Sequence, residues 1–286
     1  MSKHRDLEDR LHGLKEISGI LGAMKNLALL EIQKLGRFQT AQQRVVASME
    51  EAAADLVAFY PDAQVAPDET RPIWLLVGSE RGFCGEFNDA VVQSFLTHRT
   101  EAGEGSVVVI AVGQKLSSML ERECPLAAAL AGPTVAEEVQ QVLIGLMDRV
   151  LTLQRQENRQ RPGDLRIVHH RGDTGRSQVQ VRRPLQPALW AARHDGFPPL
   201  LNLDPITCAA ELFDHYLFAI LHEVFYSSLM AENVSRFQHM EQAIQRLDED
   251  ISALVLRRNI LRQEEITEEI EVIMLSVEAL RREERY

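Results

Sequence analysis

The sequence predicts an α/β protein with long helices, an antiparallel coiled coil of the N- and C-terminal helices plus a small Rossmann-like α/β domain between them. Three observations predict it. Residues Ile206 to Tyr286 contain neither glycine nor proline, whereas the 205 residues before them hold all 16 Gly and all 11 Pro. Apolar residues at both ends recur at alternating spacings of four and three, the signature of a coiled-coil seam. The middle alternates short apolar runs, glycine-rich turns and helical patterns, as βαβ units do.

The first helix is expected from about His4 to Phe59. Its seam is Leu7, Leu11, Leu14, Ser18, Leu21, Lys25, Ala28, Ile32 and Leu35, continued after a shift by Phe38, Gln42, Val45, Met49, Ala52 and Leu56. Gly13, Gly19, Gly22 and Gly36 each cost about 1 kcal/mol of helix propensity, for which close approach of the partner helix is the expected compensation. Pro61, Pro67 and Pro72 mark the exit. Ile73 to Gly78 reads as a buried strand leading into a glycine-rich loop, followed by a helix from about Asp89 to Thr100 and a second buried strand, Ser106 to Val112. Helical patterns near Gln114 to Arg122 and Ala136 to Gln156 come next. The turn Arg161-Pro162-Gly163-Asp164 introduces a third strand, Leu165 to His170, and Arg171-Gly172-Asp173-Thr174-Gly175 turns into a fourth, Gln178 to Arg182. His169-His170 reads as a strand edge. The sheet is expected to be mostly parallel.

In the last segment Phe237, Met240, Ile244, Leu247, Ile251 and Leu254 form the seam, which Ile266, Ile270, Ile273, Val277 and Leu280 resume after a second shift. A helix of about 80 residues rises about 120 Å and outlasts the first by roughly 25 residues. The apolar stripe left over needs another protein. The expected division is residues 1–60 as N-terminal coiled-coil helix, 72–205 as α/β domain and 206–286 as C-terminal coiled-coil helix.

Composition narrows the function classes. Net charge is −11 with a pI near 5.4 and no sustained basic block, so nucleic acid is not an expected partner. No apolar run is long enough to span a membrane, and the start, Met1 to Asp6, lacks the apolar stretch of a secretory signal, so a cytoplasmic protein is expected. Cys84, Cys124 and Cys208 are too few and scattered for a disulfide framework or zinc site.

The loop Gly78 to Asn88 lies between strand and helix, where dinucleotide-binding proteins hold a pyrophosphate. Its spacing is wrong for GxGxxG, it lacks the Gly-Lys-Ser/Thr ending of a phosphate loop, and no acidic residue closes the second strand. The residues read as a structural turn. Cys84 has no histidine near it in sequence and reads as an inert buried residue. His222-Glu223-Val224-Phe225-Tyr226 has Tyr226 where the second His of a zinc motif belongs, and reads as helix surface and seam. No cofactor or metal is expected.

Together, an early Leu-x-x-Arg-Leu with Ala23-Met24-Lys25 in the first helix, an insert opening on Ser79-Glu80-Arg81-Gly82-Phe83-Cys84-Gly85-Glu86-Phe87-Asn88, and Arg262-Gln263-x-x-Ile266-Thr267-x-Glu269 near the end resemble the gamma subunit of F-type ATP synthases over the whole chain. Arg81, Gly82, Cys84, Gly85 and Asn88 match the family's loop, whereas Glu80, Phe83 and Glu86 depart from it. Asn259, Arg262, Gln263, Ile266, Thr267 and Glu269 match its C-terminal signature, while Glu264, Glu265 and Glu268 replace neutral residues. A further motif survives as Glu232, Arg236 and Met240. This drift resembles the alternative, Na+-translocating-type bacterial F-ATPases.

The resemblance implies a central rotor with no catalytic residue of its own. Its coiled coil would enter an α3β3 hexamer, and its α/β domain would sit on the epsilon subunit and the c-ring, peripheral to the cytoplasmic face of the bacterial inner membrane. Arg262 and Gln263 would hydrogen-bond a catch loop of a β subunit, supported by Thr267 and Glu269, while Met24 and Lys25 would face the lower β-subunit lever region. Two other classes compete. A coiled-coil scaffold with an α/β domain predicts self-association, and a nucleotide-dependent enzyme predicts nucleotide binding.

Overall fold

The computed structural model describes residues 2–63, 68–101, 107–156, 163–173, 176–184 and 197–283. Pro67, Ser106, Arg161-Pro162 and Thr174-Gly175, each part of an expected exit, strand or turn, lie outside them, as does the side chain of Leu280. The elements in order are α1 (Ser2–Phe59), β1 (Asp68–Val77), α2 (Phe87–Glu101), β2 (Val108–Val112), α3 (Gln114–Leu120), β3 (Ala128–Leu130), α4 (Val139–Gln156), β4 (Gly163–Asp173), β5 (Arg176–Arg182) and α5 (Pro205–Glu283). They form two compact units, one of residues 1–26 and 238–286 and the other of residues 27–237.

In the larger unit a five-stranded sheet runs in the order β3-β2-β1-β4-β5. The first four strands are parallel and β5 pairs antiparallel with β4. Side chains alternate strictly between its faces. Ile73, Leu75, Val77, Ile110 and Ile167 pack with α4 and with residues of α1 and α5, including Leu35, Val46, Tyr216 and Val224. Trp74, Leu76, Val109, Ala111 and Val168 pack with α2 and α3. Helices on both faces explain why the strands read as unbroken apolar runs.

β3 was not expected from sequence. Ala128, Ala129 and Leu130 lack β-branched side chains, and only the lateral pairing with Ile110, Ala111 and Val112 makes them a strand. His169 and His170 are not at a sheet edge, because β4 lies between β1 and β5 and both imidazoles are buried. Arg171, Gly172 and Asp173 likewise continue β4 instead of turning, each paired with β5.

Helices α1 and α5 pair antiparallel within this unit. Gly36 lies near Met230, Gln42 Nε2 donates to Ala219 O at 2.8 Å, Tyr216 Oη donates to Glu50 at 3.1 Å, and Leu56 packs with Ala209. The pairing descends α5 as it ascends α1. In the smaller unit Lys25 Nζ meets Glu241 at 3.5 Å. Asp204 starts α5 as its N-cap, its Oδ1 accepting the amides of Ile206 and Thr207 at 3.1 Å each, with Pro205 in the first helical position where a missing N–H costs nothing.

Burial along α1 follows the expected seam from Leu7 to Leu35 and then keeps the same heptad, through Gln39, Gln42, Val46, Met49, Ala53 and Leu56. The expected shift at Phe38 does not occur. Phe38 and Val45 are about two-fifths exposed, and polar Gln39 and Gln42 hold the seam because their amides donate to Gly172 O and Ala219 O. The expected shift in α5 is absent too. Its half-buried face runs on through Leu254, Arg258, Leu261 and Glu265, while Ile266, Ile270, Ile273 and Val277 are 44–61% exposed.

The glycines of α1 also depart from expectation. A Cβ at Gly13, Gly19 or Gly22 would meet nothing within 4 Å, and at Gly36 only Met230 Cε at 3.7 Å. No helix approaches the first three closely enough to require glycine. Gly13→Ala, Gly19→Ala and Gly22→Ala should therefore each stabilise the isolated chain by about 1 kcal/mol. Urea denaturation followed by circular dichroism measures this, and a loss of stability would show a close approach after all.

Candidate functional site

The best-built polar cluster is the turn after β1 and the stretch of α5 against it. Gly78 continues β1, donating its amide to Val112 O at 2.9 Å, and a Cβ there would collide with Leu116 at 2.5 Å. Ser79 and Asn88 then close the turn reciprocally. The Ser79 amide donates to Asn88 Oδ1 at 2.9 Å, and Asn88 Nδ2 donates to Ser79 Oγ at 2.8 Å. Between them Phe83 and Gly85 take positive φ, 64° and 59°. For Phe83 that is strained, at about 1–3 kcal/mol, and its side chain is left exposed. Glu80 bends back so that Oε2 accepts the amides of Gln114 at 2.9 Å and Gly132 at 2.7 Å, filling the N-terminus of α3.

Helix α5 grips this turn from the other side. Ser235 Oγ donates to Cys84 O at 2.6 Å and Arg236 Nε reaches Gly82 O at 3.5 Å. Arg236 also pairs with Glu232 one turn earlier and donates to Asn233 Oδ1 at 3.2 Å. All three side chains are buried. Burial pushes the Glu232 carboxyl up to about 7, against the pull of the Arg236 guanidinium. Alongside, the His170 ring stacks on Phe87 with centroids 3.9 Å apart and Nε2 lies 2.8 Å from Phe87 O. Burial lowers its pKa, and drives that of His169 to about 4, so both rings are neutral at pH 7.

A second fastening joins the sheet to both long helices. The Gly172 amide donates to Ser227 Oγ at 3.1 Å, Gln39 Nε2 donates to Gly172 O at 3.1 Å, and a Cβ on Gly172 would press on the backbone of Ser227 and Ala231 at 3.1 Å. Arg182 spans Glu223 of α5 at 2.5 Å and Glu50 of α1 at 3.2 Å.

These contacts define the chemistry of the turn. The amides of Gly78 and Ser79 are already bonded within the protein, and the α3 N-terminus holds a carboxylate, so the places where a phosphate would be cradled are occupied. Burial raises the Cys84 thiol pKa, and its Sγ contacts Ser79 Oγ at 3.4 Å instead of a base. Among the described residues no group of three His, Cys, Asp or Glu side chains could hold a metal ion. The turn is an anchor.

The remaining sequence-derived residues lie in the smaller unit. Arg262, Gln263, Thr267 and Glu269 are exposed on one stretch of α5, and Thr267 Oγ1 donates to Gln263 O at 2.8 Å. Met24 and Lys25 are half-buried on α1, where Lys25 faces Glu241, about six helical turns along α5 from Arg262. The structure thus brings Arg81, Gly82, Cys84, Gly85 and Asn88 together with Glu232 and Arg236, two motifs about 150 residues apart in sequence. Sequence reasoning missed Ser235, Ser227 and Gly172, which carry no local signal, since their partners come from another element.

The comparisons agree over the length of the chain. A family model described as ATP synthase matches residues 3–280. The ATP synthase gamma chain of Rubrobacter xylanophilus is 23% identical over 294 residues, covering 98% of this chain and 99% of the relative. That of Chlorobaculum tepidum is 25% identical over 300 residues, covering 97% and 98%. Among solved structures, a chain of the Euglena gracilis mitochondrial ATP synthase (OSCP/F1/c-ring) superposes with a TM-score of 0.62 at 15% identity, covering 98% of this chain and 95% of that one. A chain of the Tetrahymena thermophila central stalk and c-ring gives 0.55 at 16% identity, covering 78% and 99%.

Arg236→Ala leaves the buried Glu232 carboxyl without its counter-charge, a change that typically costs about 3–5 kcal/mol. The folded-state pKa of Glu232 lies above its unfolded value, so its contribution to stability is full below the unfolded value and is lost as pH rises through about 7. Removing Arg236 therefore hurts more at pH 8 than at pH 5. Denaturation of both proteins at the two pH values measures this, and an equal loss at both would contradict the assignment.

Proposed function

The chain belongs to the ATP synthase family, and we propose that it is the gamma subunit of a bacterial F-type ATP synthase, the central rotor shaft that couples ion flow through a c-ring to ATP synthesis or hydrolysis on β subunits. The observation that carries this reading is the inequality of the two long helices. α5 has 79 residues against 58 in α1, and its last turns present Ile266, Ile270, Ile273 and Val277 to solvent. Such a face belongs inside another protein.

In this reading residues 1–60 and 206–286 form the shaft and 72–205 the α/β domain. The shaft enters an α3β3 hexamer, and the domain rests on the epsilon subunit and the c-ring. Among the described residues no helix is long and apolar enough to cross a membrane. The complex holds the chain peripherally at the cytoplasmic face of the inner membrane. Arg262 and Gln263 hydrogen-bond the β-subunit catch, Thr267 and Glu269 support them, and Met24 and Lys25 face the β-subunit lever. The anchor of Arg81, Gly82, Cys84, Gly85 and Asn88 ties the domain to the shaft.

The mechanism is torque transfer. A shaft with different side chains on each face contacts three otherwise equal β subunits unequally, and each orientation biases one site toward tight and another toward weak nucleotide binding. The coupling is reciprocal, so nucleotide binding drives the shaft and a driven shaft releases product. The chain itself supplies no catalytic group.

The test is co-expression with the α and β subunits of the same source. A complex purified on a tag carried by this chain should hydrolyse ATP, while the chain alone should not. Replacing both Arg262 and Gln263 by alanine removes hydrogen bonds worth about 1.5–3 kcal/mol where a charge takes part. The ATPase rate, or its coupling to ion transport, should then fall severalfold. Turnover by the isolated chain would overturn the reading, as would a chain that emerges alone and self-associated.

A further inference from the structure

Two loops of the sheet reach the two long helices at one level. Gly36 faces Met230 and Glu50 faces Tyr216, and equal rise along antiparallel helices puts Glu31 of α1 level with Ser235 of α5. The turn after β1 grips α5 there, through Ser235 on Cys84 O and Arg236 on Gly82 O. The loop between β3 and α4 grips α1, with the Ala136 amide donating to Glu31 Oε1 at 2.7 Å and Lys34 Nζ donating to Glu137 at 2.7 Å. Thr134 braces that loop, its amide and hydroxyl donating to Glu138 at 2.7 and 2.9 Å. Glu80 joins the two loops. β2 lies between the strands that lead into them, and Glu80 reaches across its end, so that Oε2 accepts the amides of Gln114 and Gly132 together. Gly132 is pressed so near that a Cβ would sit 3.1 Å from the Gly113 backbone.

We propose that these bonds form a closed, torque-bearing collar around α1 and α5, with Glu80 as its keystone. The inference rests on the gamma-subunit reading and adds the residues that position the helices for torque transfer. A pair of helices held at one point pivots about it, whereas holds on both helices, about 8–10 Å apart, resist a couple. The collar supplies both holds at one level, within about one turn of Leu27 and Phe237, where the larger unit ends. Its joints at Glu31, Glu80 and Arg236 are hydrogen bonds to charged groups, stronger and more directional than neutral ones. Glu31 and Glu80 act through the loops they hold.

The experiment uses the complex of this chain with the α and β subunits of its source, fixed through the β subunits, and follows a filament carried at Ile144 on the exposed face of α4. Glu80→Ala and Glu31→Ala each open the collar at one joint. Either should leave ATP hydrolysis without load within about twofold of wild type. Either should also lower the torque on a long filament by about twofold or more. The double variant should be no weaker than the single ones, because a belt opened once is already open, whereas independent contacts would add. Leu143→Ala, buried in the core away from the collar, should lower thermal stability without lowering torque. If Glu80→Ala does not fold, Glu31→Ala carries the torque test alone. Torque unchanged in the single variants, losses that add in the double, or an equal loss in Leu143→Ala overturns the collar and leaves the gamma reading intact. A wild-type chain that assembles with neither subunit, or never turns the filament, overturns both.

Discussion

Everything in this protein depends on the antiparallel pairing of two helices of unequal length. A helix of 79 residues has no stable reason to exist alone, since propensity contributes little and an amphipathic face must be covered. α1 covers one lane of α5, and the sheet covers another through Ile73, Leu75, Ile110 and Ile167. Where both coverings end, apolar side chains stay exposed. The same constraint that folds the chain therefore leaves it incomplete, and makes partner subunits part of its stability.

A shaft that transmits torque must not slip against what it turns. Apolar packing is non-directional and resists sliding poorly, whereas hydrogen bonds and ion pairs between fixed positions define one register. The protein supplies such bonds at two places in the larger unit. Arg236 and Ser235 hold the carbonyls of Gly82 and Cys84, and Gly172 with Arg182 is tied to α1 and α5 together. A buried pair such as Glu232 with Arg236 contributes little net stability for its desolvation cost. Its value is in fixing position.

The helices, the parallel sheet and its apolar strands were legible because period and composition are local properties. Glycine and proline stop abruptly at Pro205, and every seam position from Leu7 to Leu35 is buried or half-buried. The seam beyond Leu35 was misread because Phe38 and Val45 attract a hydrophobic count, whereas Gln39 and Gln42 earn their seam places by bonding carbonyls on other elements. The histidines of β4 were misplaced because strand order decides which strand is an edge, and a sequence does not print strand order. The anchor was half legible. Arg81, Gly82, Cys84, Gly85 and Asn88 stand out by resemblance, as do Glu232 and Arg236, but the meeting of the two motifs and the part of Ser235 in it are seen only in three dimensions.

A central rotor must turn within the ring of α and β subunits. The most direct measurement fixes the α and β subunits to a surface, attaches a visible probe to the exposed face of α4 at Ile144, and supplies ATP. The account predicts stepwise rotation of the probe in one direction, at a rate set by ATP hydrolysis. A complex that hydrolyses ATP while the probe stays still, or jitters without direction, would contradict it.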